Sequence, residues 1–174
     1  NTVGINNVAI GRYAGRYTCG CNNVAIGYNS GDNGIVNNTV FLGNSSITAI
    51  KAAVTSITSL SDQRDKTDIE TVSYGLNFLK KIRPVSFTWN TRDGSKVGQK
   101  EIGFIAQELD EALQSSLLKD WMEGLATHNE DGSRYEATPG KLLPLMVKAI
   151  QELSNKNDDL VSRIEALESI INKQ

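Results

Sequence analysis

In the stretch Leu60-Ser61-Asp62-Gln63-Arg64-Asp65-Lys66 a serine precedes a lysine by five residues. A serine hydroxyl becomes a useful nucleophile when a base removes its proton, and lysine can be that base only as the neutral amine. Free lysine has a pKa near 10.4, so at pH 7 fewer than roughly one in a thousand is neutral, and each unit of change costs about 1.4 kcal/mol. Burial and a neighbouring cation such as Arg64 favour the neutral form, whereas Asp62 and Asp65 oppose it. Fully extended, the five-residue step places Ser61 and Lys66 on the order of 17 Å apart, so the segment must turn back before any proton can move. The same residues also suit a plain turn, since Ser, Asp and Thr ahead of a helix are cap formers.

Other chemistry is poorly provided for. Cys19 and Cys21 form a lone C-x-C, and the single histidine, His128, lies about a hundred residues away among polar neighbours. A zinc site needs about four ligands in recognisable pairs, so no metal and no cofactor is expected. The net charge of −2 and the absence of like-charge blocks give no footprint for nucleic acid or an anionic membrane. The longest apolar run, Lys141–Ile150, is well short of the roughly 20 residues of a membrane span. The chain opens on Asn with no leader pattern, as expected for part of something longer.

Two grammars meet at the Ser61 stretch. Before it the only charged residues are Arg12, Arg16, Asp32 and Lys51; after it the chain is densely charged. The first part, 1–60, repeats itself: NNVAIG at 6–11 and 22–27, then NTVFLG at 38–43, with Gly15 and Gly31 in step. A short alternating strand closed by glycine and separated by Asn/Gly/Ser turns predicts one strand per coil of a β-solenoid. Three such coils bury little alone, so copies of the chain are expected to wrap or stack on one another. The repeat resembles the coils of trimeric adhesin heads and fibrous phage proteins, which implies a homotrimer. Residues 44–60 allow either a helical seam through Ile47, Ile50, Val54 and Ile57 or a strand, and are expected to lie on the shared axis.

Residues 61–174 read as α+β. Thr67 and Glu70 suit a capping box before a helix around 72–82, Pro84 ends it, and Val85, Phe87 and Trp89 alternate as one face of a strand. A polar interval, 91–100, leads to a strand running into a helix over 101–109. A second interval, 126–137, precedes a coiled coil over about 141–174. Leu143, Ile150, Asn157, Ile164 and Ile171 fill one heptad core position, and Met146, Leu153, Leu160 and Leu167 the other. Asn157 is the lone polar core residue and is expected to fix register. Ile followed by Leu favours two strands by the dimer rule, but the repeat at the other end argues for three.

Taken in order, LSDQRDKTDI, GLNFLKKIRPVSFTWN, IGFIAQEL and the terminal heptads resemble the endosialidase-type intramolecular chaperones at the C-termini of phage tail spikes and fibres. The resemblance spans about 60–174. It implies a domain that helps three copies of an upstream β-structured client fold, then removes itself as a single-turnover serine endopeptidase. By position, Ser61 resembles the nucleophile and Lys66 the general base, with Asp62, Arg64 and Asp65 completing the motif. Attack by Ser61 on the Leu60 carbonyl would break Leu60–Ser61; cleavage after Ser61 is disfavoured because it needs a four-membered ring. The family's chaperone has arms that embrace the fibre, for which 91–100 and 126–137 are the candidates. The client would be residues 1–60, assembled in a host cytoplasm, and the chaperone would be absent from the mature virion. Two other readings compete: a permanent trimeric stalk or adhesin module that never cuts itself, and a cell-encoded relative releasing a membrane-tethered regulator.

Overall fold

The computed structural model describes residues 4–16, 18–31, 34–54, 57–129 and 132–172. The fold mixes short strands and helices and ends in one long helix. It divides into two compact units, Asn1–Leu60 with Thr88–Gln99, and Ser61–Phe87 with Lys100–Gln174.

In the first unit the sequence repeat becomes strand pairing. Strands β1 (Val8–Ile10), β3 (Val24–Ile26) and β5 (Val40–Leu42) are parallel neighbours, as are β2 (Thr18–Cys19) and β4 (Gly34–Ile35). Val8 pairs with Val24 and Val24 with Val40, so each coil lies on its own repeat. Asparagine makes the turns. Asn6, Asn22 and Asn38 share left-handed backbone at φ 60, 59 and 58°, which Asn tolerates better than other side chains. The next residue stitches coils together: Asn23 is buried, donates Nδ2 to Val36 O at 2.7 Å and accepts the Thr39 N–H at 3.0 Å. Asn7 repeats this one coil earlier, on Gly20 O and the Asn23 N–H. Gly20 is required there, because a Cβ would stand 1.9 Å from Val36 O.

Cys21 belongs to a third such row. Its N–H donates to Asn37 Oδ1 at 2.8 Å, and its Sγ receives the Ile5 N–H at 3.4 Å, so the thiol occupies the acceptor position that Asn37 fills in the next coil.

These coils are thin. Among the described residues their buried side chains are Ala25, Asn23 and Ser30, while Val8, Ile10, Ile26, Val40 and Leu42 remain 41 to 63% exposed. Strand alternation places Ile10, Ile26 and Leu42 on the face opposite Ala9, Ala25 and Phe41. Beyond them the described residues of 44–60 form neither helix nor strand, and Ile57 and Leu60 are almost fully exposed.

The second unit packs helix α1 (Leu76–Leu79), strands β6 (Val85–Thr88) and β7 (Lys100–Gly103), helix α2 (Ala106–Gln114), strands β8 (Ala126–His128) and β9 (Tyr135–Ala137), and helix α3 (Leu143–Ile171). Its core joins Phe78, Ala112, Leu113, Leu118, Met122, Leu125, Leu142 and Leu145, with Leu79, Ile82 and Phe104 against it. Val85, Phe87 and Trp89 alternate as the sequence predicts, each half-buried between exposed neighbours. The interval 126–137 is an antiparallel hairpin pairing Ala126 with Ala137 and His128 with Tyr135; residues 130 and 131 lie outside the described set.

The expected capping box does not form. Residues 67–74 are irregular, Asp68 has φ 52°, and α1 starts only at Leu76. The cap comes from far along the chain, where Glu152 Oε2 accepts the Leu76 N–H at 3.0 Å. Gly75 permits that approach, since a Cβ would lie 2.6 Å from the Ala149 N. Helix α3 therefore has two faces. Leu145 and Ala149 are buried and Glu152 half-buried, a step of four and then three, toward the body; the heptad residues point elsewhere, from Met146 at 48% to Ile171 at 70% exposed.

Asn23→Ala should orphan the half-buried Val36 carbonyl and Thr39 amide, costing about 1–2 kcal/mol. A lowered urea midpoint with faster exchange of the Thr39 amide is expected; an unchanged midpoint would contradict the ladder's role.

Candidate active site

The turn that brings Ser61 and Lys66 together is capped from within. Asp62, in extended backbone at φ −68° and ψ 137°, accepts the Arg64 N–H at 2.9 Å and starts a single 3-10 turn over Gln63–Asp65. The Asp65 N–H donates to Asp62 O and the Lys66 N–H to Gln63 O, closing the turn in the backbone. The Arg64 guanidinium folds back on the same carboxylate, with Nε 3.0 Å from Oδ1 and Nη2 2.6 Å from Oδ2. A two-point guanidinium–carboxylate contact fixes orientation as well as distance.

Lys66 then leaves the turn in extended backbone, and its side chain reaches back to its starting point. Nζ lies 2.7 Å from Ser61 Oγ and 3.3 Å from Ser61 O. A separation of about 17 Å in an extended chain has become hydrogen-bond contact. Of the five motif residues, Ser61 and Lys66 touch, Asp62 caps, Arg64 clamps Asp62, and Asp65 contributes its backbone while its side chain is exposed. Leu60, whose carbonyl precedes Ser61, is 98% exposed, and Ser61 and Lys66 are exposed as well.

Arg64 pushes Asp62 below its ordinary value of 3.8, first through its side chain and then through its N–H; Asp62 in turn raises Arg64. Both are well solvated, so the pair orders the turn more than it stabilises the fold.

The remaining sequence candidates lie elsewhere in structural roles. Cys21 sits in the turn ladder, and His128 stacks on Tyr135 with ring centroids 5.1 Å apart. Among the described residues no three His, Cys, Asp or Glu side chains gather where an ion could sit, and no helix is long and apolar enough to cross a membrane. Asn157 lies on the exposed length of α3. Sequence reasoning missed Glu152 and Gly75, because the contact that matters links residues 76 apart.

Residues 61–118 match the family model Peptidase_S74, described as chaperone of endosialidase. Over that span, which starts at the serine of the turn, the chain is similar to the endosialidase-type chaperone domain. None of the curated proteins matches the chain.

Because the folded state holds Asp62 below its ordinary value, the turn's stabilisation is complete above about pH 4 and is lost as pH falls through the depressed value. Acid titration by NMR should release the Arg64 amide in that window. Asp62→Asn should abolish the pH dependence; a wild-type turn indifferent to acid would contradict the clamp.

Proposed function

Starting from a chaperone domain whose first residue is Ser61, we propose that this chain assembles as a trimer, guides the folding of its own residues 1–60, and cuts itself at Leu60–Ser61. The observation that carries this reading is the 2.7 Å approach of Lys66 Nζ to Ser61 Oγ at the first residue of the family match. In the neutral state Lys66 takes the Oγ proton as Oγ attacks the Leu60 carbonyl carbon. The tetrahedral intermediate collapses as the C–N bond breaks, and the lysine returns the proton to the departing Ser61 nitrogen. This N-to-O acyl shift leaves Leu60 esterified to the Ser61 side chain. Water then hydrolyses the ester, releasing a Leu60 carboxylate and a C-terminal fragment that begins with Ser61. Residues 1–60 are the client, the end of a trimeric β-solenoid, and residues 61–174 the chaperone with a coiled coil over about 141–174.

Assembly supplies what one chain lacks. Full burial of an aliphatic side chain contributes roughly 1.5–3 kcal/mol. Leu153, Leu160, Ile164, Leu167 and Ile171, each at least half exposed, leave much of that unrealised. Ile10, Ile26 and Leu42 do the same on the strands. An assembly that also covers the exposed Ser61 turn would exclude water there, which favours a neutral amine. Cutting would then follow folding. The natural setting that fits is a viral tail fibre or spike precursor assembled in a host cytoplasm, with the chaperone shed before the particle matures.

One observation favours a second reading, a permanent trimeric stalk. The same ammonium also reaches Ser61 O, as it would in an ordinary surface turn. Denaturing gels separate the two. The assembled chain should run as two fragments, and Ser61→Ala and Lys66→Met should stay intact while still assembling. If the wild-type trimer also stays intact, the cleavage reading fails. Asn157→Ile should raise the melting temperature of the coiled coil while broadening its oligomer distribution in equilibrium sedimentation; an unchanged, single trimeric species would remove the register role.

A further inference from the structure

The turn after β1 departs from the repeat it belongs to. Equivalent positions are 16 residues apart, as Ile10 pairs with Ile26, so Arg12 and Tyr13 of the first coil correspond to Tyr28 and Asn29 of the second. The backbone is left-handed at that place in both coils, with φ 63° at Tyr13 and 50° at Asn29. Asparagine tolerates this conformation, whereas a bulky aromatic residue is strained in it. The two turns stack in register, the Asn29 N–H donating to Arg12 O at 2.9 Å and the Gly15 N–H to Ser30 O at 2.8 Å. The coil thus imposes a left-handed position that the second repeat fills with a suitable residue and the first does not. Strain of this kind collects where the strained side chain has a task.

What Tyr13 gathers is charge. Arg12 and Arg16 are two of the four charged residues before Ser61, and both lie over its ring, their Cζ atoms 4.7 and 5.1 Å from the centroid. Arg12 Nη2 also donates to the Tyr13 hydroxyl at 2.9 Å. A guanidinium stacked by its face keeps edge N–H groups that can meet a planar acceptor two at a time. Both arginines are exposed. Tyr28 stands one coil further on, its ring centroid 6.0 Å from that of Tyr13, tilted by 57° and with the residue 59% exposed. An open aromatic face beside two ordered cations suits a ligand that joins an anionic group to an apolar ring face. A pyranose bearing an acid has both, since its ring C–H groups form an apolar side.

The geometry points to an acidic-saccharide site on the first two coils. Arg12 and Arg16 take the carboxylate or phosphate, and Tyr28 stacks on the sugar ring. Tyr13 is the positioning residue that holds the two guanidiniums, and the left-handed backbone directs its ring toward them. Every member lies in residues 1–60, so the site does not depend on whether the chain cuts itself at Leu60–Ser61.

The test is calorimetric titration of the full chain at low salt, with Ser61→Ala as background so that the titrated species is the same whatever the wild type does. The probes are trigalacturonate, galactose 6-phosphate, the neutral galactose trisaccharide, inorganic phosphate and a thymidine oligonucleotide. The acidic sugars should bind at least about tenfold more tightly than the neutral one and than inorganic phosphate, and the tighter of the two names the acid group. Arg12→Gln and Arg16→Gln should each weaken them by about five- to tenfold; Tyr28→Ala should do the same for the sugars and leave inorganic phosphate unchanged. Tyr13→Asn, the choice of the second repeat, should raise the melting temperature while weakening the sugars by about tenfold. A lowered melting temperature in that variant would make the ring a structural brace and overturn the assignment. So would no binding of either acidic sugar up to about 10 mM, equal binding of the neutral one, or tighter binding of the oligonucleotide.

Discussion

Each unit of this chain leaves a row of apolar side chains exposed among its described residues, and the architecture follows from that constraint. In the first unit the described residues buried within the repeats are Ala25, Asn23 and Ser30, while Val8, Ile10, Ile26, Val40 and Leu42 stay exposed. In the second, α3 spends one stripe, Leu145 and Ala149, on the body and leaves the heptad stripe open. A helix whose later turns are exposed along their whole length is marginal in water, because helical stability in proteins comes mostly from packing an apolar face. Both exposed rows are what the proposed assembly would cover.

Such an assembly is hard to start. Parallel coils from separate chains pay the entropy of closure before their contacts form, whereas a heptad seam pairs over a short, regular interface. A C-terminal coiled coil joined to the body by Gly75, Ala149 and Glu152 would set stoichiometry and raise the local concentration of the slower segments. Removing it once the coils have closed would leave a product that can unfold but not readily refold, so its persistence becomes kinetic.

Much of this was legible in the residues for a physical reason: the repeat and the heptads are periodic, and periodicity survives without knowledge of tertiary contacts. NNVAIG at two positions sixteen residues apart pairs in the register its spacing predicts. The Ser61–Lys66 contact was legible as a requirement, since the intervening residues had to turn. What failed was the local rule at Thr67 and Glu70. The cap that starts α1 is a carboxylate 76 residues away, and the residue that does cap locally is Asp62, for its own 3-10 turn. Residues 44–60 were ambiguous between helix and strand and take neither form where described; Ile50 and Ile57 stay largely exposed there, so no buried face selects either form.

Which bond, if any, the assembled protein breaks decides whether Ser61 and Lys66 act as a protease. Mass spectrometry of the folded, assembled chain, with hydroxylamine added to one sample, reads this directly. The prediction is a C-terminal fragment with a free amine on Ser61 and, in the treated sample, a hydroxamate on Leu60 captured from the ester. A single intact chain of 18.9 kDa, or a new terminus at any other residue, would contradict it.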